Sequence, residues 1–186
     1  MADAARAGSE FKRELLSLIP SMRAFAMSLS GRHHLADDLV QDAILNAWAK
    51  QDSYTPGTNM KAWLFTILRN VFYSQMRKRG REIQDSEGVF TGMMSVNPAQ
   101  QGSLDLQDLR TALEKLSDEQ REALILVGAS GFSYEEAADV CGCAVGTIKS
   151  RVNRARSKLS ALLYVDGAED FGPDDTVRAV IGGSGG

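Results

Sequence analysis

The chain has 186 residues, 44% of them hydrophobic and 24% charged, with a formal net charge of −3. That is enough apolar material for two small cores or one medium core, and no apolar run approaches the about 20 residues needed to cross a bilayer as a helix. The opening MADAARAGSEFKREL has no apolar signal-peptide segment, so a cytoplasmic protein without a membrane association is expected.

Strand signals are almost absent, and the expected fold class is all-α, with two small helical domains joined by a flexible linker. The first helical block covers about residues 10–81, the linker 82–103 and the second block 104–164. A tail over 165–186 turns acidic, ends GGSGG and is expected to be disordered.

Phe11, Leu15, Leu18 and Ile19 begin an amphipathic helix, which Pro20 is expected to interrupt before Met22–Leu29 continues. A turn follows around Gly31 to His34. His33 and His34 have no carboxylate or thiol at metal spacing nearby and read as turn residues. The next helix, about Leu35 to Lys50, carries Leu35, Leu39, Ala43 and Ala47 on one side and Asp38, Gln41, Asp42 and Leu45 on another. That second side is either a solvated acidic face or a docking surface for a basic partner.

After the turn at Tyr54-Thr-Pro-Gly comes NMKAWLFTILRNVFYSQMRKRGRE. Leu64, Ile67, Leu68 and Val71 form its core stripe, while Trp63, Phe65, Phe72 and Tyr73 interleave with Lys61, Arg69, Arg77, Lys78, Arg79 and Arg81. Aromatic rings at helical spacing usually pack in a core. Ending in a basic cluster, they also suit single-stranded or melted DNA, where bases stack on rings and cations hold the backbone. The segment EIQDSEGVFTGMMSVNPAQQGS then has little periodicity and several Gly and Pro, as a linker does.

In the second block, Leu106, Leu109, Leu113 and Leu116 make a stripe, and Ser117 with Gln120 a capping box. Ser133 and Glu136 repeat that spacing and predict a helix ended by Gly142, with another starting near Val145. Ile148, Val152, Ala155 and Leu159 fall at i, i+4, i+7 and i+11, one buried stripe. The other faces hold Thr147, Lys149, Ser150, Arg151, Asn153, Arg154, Arg156 and Lys158 with no acid among them. A capping box, a tight Gly turn and a basic second helix together predict a helix-turn-helix that enters the major groove. Cys141 and Cys143, one residue apart, are expected to be reduced packing residues, because a disulfide across one residue is strained.

The net charge is misleading until it is mapped. Six cations and one acid lie in 61–82 and five cations and no acid in 146–159, while acids gather at Asp37, Asp38 and Asp42 and in the tail. Segregation of this kind fits one face on nucleic acid and another on a basic protein.

DDLVQDAILNAW (37–48), GTNMKAWLFTILRNVFYSQMRKRGRE (57–82) and LSDEQREALILVGASGFSYEEAADVCGCAVGTIKSRVNRARSKL (116–159) resemble a bacterial extracytoplasmic-function (ECF) sigma factor. The similarity spans nearly all of 10–164 and is greatest to the EcfG-type general stress response sigma factors of alphaproteobacteria. It implies a region 2 domain, a linker and a region 4 domain, partnered by bacterial core RNA polymerase and promoter DNA. Residues Asp37, Asp38, Leu39, Gln41 and Asp42 match the segment that docks on polymerase. Arg69, Asn70 and Val71 match a short loop that captures a flipped −10 base, flanked by Trp63 and Tyr73, with Arg77 nearby. Lys149, Ser150, Asn153 and Arg154 match the face that reads the −35 element, and Thr147 and Arg151 are suited to phosphates.

The resemblance further implies a GGAAC-like −35 element, a GTT-like −10 element, and control by a NepR-like anti-sigma factor that a PhyR-like regulator removes. Ala144 departs from the Pro common before the recognition helix, which is expected to loosen that turn slightly. A monomer is expected when free. The alternative function is a sigma-like decoy that only sequesters an anti-sigma factor. No nucleophile–base set, phosphate-binding loop, metal cluster or cofactor site is legible, so an enzyme is not expected.

Overall fold

The computed structural model describes residues 2–85 and 104–163. Seven α-helices and no strand occur among the described residues, in line with the all-α expectation. The first block consists of α1 (Ala2–Ser30), α2 (His33–Ala49) and α3 (Met60–Asp85), with a 3-10 turn over Gln51–Ser53. Its core is made by Leu15, Met22, Phe25, Ala26 and Leu29 of α1, Ala36, Leu39, Val40, Ala43 and Ala47 of α2, and Leu64, Phe65, Leu68 and Phe72 of α3. The three alanines on the inner side of α2 let its neighbours approach closely. Phe25 stacks on Phe65 with centroids 4.9 Å apart and planes 23° apart, an offset pairing across the centre of the block.

Four features differ from the sequence expectations. Pro20 does not interrupt the first helix, which runs through it. Proline removes one N–H and frees the carbonyl four residues back, but Pro20 and Leu16 both lie on the exposed side, where an unpaired carbonyl costs least. His33 and His34 are the first residues of α2 and not part of the turn, which is confined to Gly31 and Arg32. Arg69, Asn70 and Val71 are not in a loop: they lie mid-way along the continuous α3. The break between α2 and α3 is at residues 50–59, where Tyr54 and Thr58 close a turn through the Tyr54 hydroxyl and the Thr58 carbonyl. Finally, residues 82–85 of the expected linker continue α3; the rest of that linker up to 103, and the tail beyond 163, lie outside the described residues.

The second block contains α4 (Leu104–Glu114), α5 (Asp118–Gly128), α6 (Tyr134–Cys141) and α7 (Val145–Leu163). Both capping boxes form. The Ser117 hydroxyl accepts from the Gln120 N–H and the Ser133 hydroxyl from the Glu136 N–H, while the Gln120 and Glu136 side chains accept from the cap N–H groups. Gly142 ends α6 at φ +63°, a left-handed turn that a side chain would strain. The Ala144 carbonyl accepts from the Thr147 and Ile148 N–H groups, so the first turn of α7 is closed without a proline.

The blocks pack on one another, α1 against α5 and α3 against α6. Phe132, in the turn before α6, puts its ring edge-on against Phe65 with centroids 5.0 Å apart. Ile148 is 0% exposed, at the centre of the α7 stripe. Ile148→Ala is therefore expected to lower unfolding free energy by about 2–5 kcal/mol, and loss of the α6 cap in Ser133→Ala by about 1 kcal/mol. Urea denaturation of the two variants checks both the size and the order of these losses.

Candidate nucleic-acid interface

The burial of one side of α7 determines what the other side can do. Ile148, Val152, Ala155 and Leu159 are all 2% exposed or less, and they lock the rotation of the helix. Thr147, Lys149, Asn153 and Arg154 are consequently exposed, with Ser150 and Arg151 half-buried beside them. The Lys149 ammonium lies 5.7 Å from the Tyr134 ring centroid, and Arg151 Nη1 reaches Cys143 Sγ at 4.0 Å, contacts that hold both stems against α6 and its turn. Lys158 instead donates to the Lys115 carbonyl at 2.5 Å and braces the end of α7 on the α4 side. A basic helix face of this kind offers amide, hydroxyl and guanidinium donors to base edges, with cations for flanking phosphates.

The α3 residues fall into four groups. Phe65 and Phe72 are core residues, 0% and 5% exposed, and are not available to stack on bases; their periodicity with Leu64 and Leu68 buries them. Trp63 is half-buried in a ring cluster, with centroids 6.1 Å from Phe11 and 5.3 Å from Tyr54. Asn70 and Arg77 are exposed and Val71 half-buried.

Arg69 and Tyr73 turn toward the second block and meet Glu122 of α5. Arg69 Nε lies 2.7 Å from Glu122 Oε1, an ion pair without good hydrogen-bond alignment, and the Tyr73 hydroxyl donates to Oε2 at 3.2 Å. The Arg69 guanidinium also covers the Tyr73 ring at 4.7 Å. Glu122 is 0% exposed. Burial pushes its carboxyl up from the usual range, and the Arg69 charge works against that push. Burial, reinforced by Glu122, likewise holds the Tyr73 hydroxyl well above its ordinary value. The Cys141 thiol is pushed up to about 12, chiefly by burial and then by Glu122.

On α2, Asp37, Asp38, Gln41 and Asp42 are exposed as a surface. Two of them already have partners: Asp37 pairs with Arg23 at 2.7 Å, and Asp42 accepts from Gln75 Nε2 at 3.0 Å. Leu39 is a correction to the expected set. At 2% exposure it faces the core, in phase with Ala36 and Ala43, and cannot touch a partner unless α2 unpacks. Leu45 and Trp48, 61% and 48% exposed, are the large apolar groups of this helix that remain open to solvent.

Glu122 was missed in the sequence. Its one signal is helical phase, four residues before the fully buried Leu126, a position where an acid has no place in a core unless a cation faces it.

Residues 16–82 match Sigma-70 region 2 and residues 106–159 match Sigma-70, region 4. The chain is 66% identical over 172 residues to the ECF RNA polymerase sigma factor EcfG of Rhodopseudomonas palustris, covering 92% of this chain and 95% of that relative. The chain belongs to the ECF sigma factors. The EcfG-type resemblance read from its motifs thus holds over almost the whole length. In three dimensions this ECF sigma factor is similar to the sigma factor RpoE of Bartonella quintana in complex with the anti-sigma factor NepR, with 66% identity and a TM-score of 0.77 over 85% of this chain and 99% of that one. It is also similar to CnrH in complex with the cytosolic domain of CnrY, with 31% identity and a TM-score of 0.61 over 88% of this chain and 96% of that one. Among its described residues no helix is long and apolar enough to cross a membrane.

Only a thiolate attacks an alkylating reagent, and Cys141 is buried whereas Cys143 is partly exposed. Brief maleimide treatment at neutral pH is expected to modify Cys143 and spare Cys141. Peptide mass spectrometry reads the two sites separately, and equal labelling would contradict the buried environment described for Cys141.

Proposed function

We propose that this ECF sigma factor acts in the cytoplasm as the promoter-specificity subunit of core RNA polymerase, under the control of an anti-sigma factor. The observation that carries the DNA-binding part is the exposed basic side of α7 behind a fully buried apolar stripe. Lys149, Ser150, Asn153 and Arg154 read base edges of a GGAAC-like −35 element, while Thr147 and Arg151 hold phosphates. Each good bidentate base contact discriminates by about 1–3 kcal/mol, and the phosphate contacts make binding salt-dependent.

On α3, Asn70 and Arg69 with Val71 take up a flipped base of the opened −10 element. Trp63 and Tyr73 flank it, and Arg77 holds the strand. Extruding a base costs a few kcal/mol of stacking and pairing, which contacts to the extruded base offset, so the protein favours the melted state by binding it and breaks no covalent bond. Asp37, Asp38, Gln41 and Asp42 offer core polymerase an acidic surface that complements a basic one. Control by an anti-sigma factor is supported by the similarity to RpoE, a sigma factor seen in complex with NepR.

Asn70 and Lys149 are exposed, so replacing either is expected to change stability by no more than about 0.5 kcal/mol. In run-off transcription with core polymerase and a GGAAC-type promoter, the wild-type chain is expected to give transcript that a scrambled −35 element abolishes. Asn70→Ala and Lys149→Ala are each expected to lower that transcript by about tenfold, the scale of one lost base contact. Full transcription by both variants would overturn these assignments. No transcript from the wild-type chain with a competent polymerase would favour a decoy that only sequesters an anti-sigma factor.

A further inference from the structure

The contacts between the two blocks are not spread evenly over the residues assigned to DNA. The −35 side of α7 is left open: Thr147, Lys149, Asn153 and Arg154 are exposed. On α3 the case is different. Arg69, assigned to the −10 element, is 20% exposed because its guanidinium faces Glu122, and Tyr73 donates its hydroxyl to the same carboxylate. Around this centre, Lys61 of α3 donates to the Ser130 carbonyl, and Asn59, just before α3, donates to Glu136 Oε1 at 2.6 Å. Phe65 meets Phe132 on the same side. One side of the N-terminal half of α3 is thus covered by α5, α6 and the turn between them.

Glu122 has little reason to be buried except this one. Two of its contacts, Arg69 and Tyr73, come from across the block boundary. A carboxylate placed there would be costly in an apolar surrounding unless a cation faced it, and Arg69 is that cation. While they serve Glu122, the Nε edge of Arg69 and the hydroxyl proton of Tyr73 are not available to a nucleotide.

We infer that the Arg69–Glu122 pair is an internal clasp that keeps the free chain closed, covering part of its −10 surface while leaving its −35 surface open. Glu122 occupies Arg69 with the same kind of charge that a DNA phosphate would supply. The closed arrangement belongs to this chain by itself, with no partner bound, and opening requires something that outbids Glu122 or pulls the second block away. An agent that binds across both blocks would hold the clasp shut. The consequence for DNA rests on the assignment of Arg69 and Tyr73 to the −10 element, whereas the clasp itself does not.

The test is small-angle X-ray scattering of the full chain without DNA or polymerase, on wild type, Glu122→Gln, Arg69→Gln and the charge swap Arg69→Glu with Glu122→Arg. The wild-type chain is expected to be compact, each single variant to show a larger radius of gyration, and the swap to return to the compact value. Circular dichroism confirms that helix content is kept. Should Glu122→Gln lose it, the comparison is carried by Arg69→Gln, whose side chain is partly exposed, and by the swap. Single variants as compact as wild type would overturn the clasp, as would a wild-type chain already extended.

A second measurement separates the clasp from its use. Affinity for a single-stranded −10 oligonucleotide is expected to rise about tenfold in Glu122→Gln, while affinity for a −35 duplex stays unchanged. An equal rise for both DNAs would overturn selective covering. If scattering shows the opening and swap rescue but neither chain binds the −10 strand, the clasp stands and the −10 assignment falls.

Discussion

A single buried charge lies at the seam where the two helical blocks of this sigma factor meet. Glu122 is shielded from water, and a carboxylate in that position is tolerated only because Arg69 and Tyr73 of the other block reach it. Such a pair adds little net stability over a well-packed apolar contact, since both ions lose their hydration. What it adds is register. Removing one partner of a buried pair costs about 3–5 kcal/mol, so slippage of α5 along α3 that parts the ions is penalised far more than slippage between two greasy surfaces. The ring contact of Phe65 with Phe132 supplies apolar area alongside, and the ion pair selects where that area is used.

The helices and their ends were legible in the sequence because they are encoded by local rules. Ser117 with Gln120, Ser133 with Glu136, Gly142 and the Ile148–Leu159 stripe each depend on neighbours within a few turns, and each has the structure that its spacing predicts. Pro20 misled because a proline penalty falls with solvent exposure of the freed carbonyl, which depends on which side of α1 faces out. Leu39 falls in the docking segment by resemblance, although its phase with Ala43 and Ala47 marks it as core. Phe65 and Phe72 could be assigned to core or to DNA with equal ease, since rings at helical spacing serve both. Glu122 was invisible for a different reason: its partner lies 53 positions earlier in the chain, and no local pattern reports a contact at that separation.

The exposed side of α7 illustrates how packing makes the surface proposed for DNA recognition. Its cations are not positioned by contacts among themselves. They are positioned by the apolar stripe behind them, which leaves the helix no freedom to rotate, and by α6, whose Tyr134 ring and Cys143 sulfur hold the Lys149 and Arg151 stems. A small substitution in the stripe would therefore change this basic surface without touching any residue on it.

The end of α1 shows a similar dependence between blocks. Helices leave their last carbonyls unpaired, and at the end of α1 those of Ser28 and Leu29 accept from Arg121, while the Gly31 carbonyl accepts from Arg110 at 2.8 Å. Both arginines belong to the second block. They act as a C-terminal cap supplied in trans, with positive charge at the negative end of the helix dipole. Separating the blocks would uncap α1 just where the chain turns into α2 and its acidic surface. The edge of the surface proposed for polymerase is thus held partly by the domain proposed to read the −35 element, so movement of one domain is felt at the acidic face of the other.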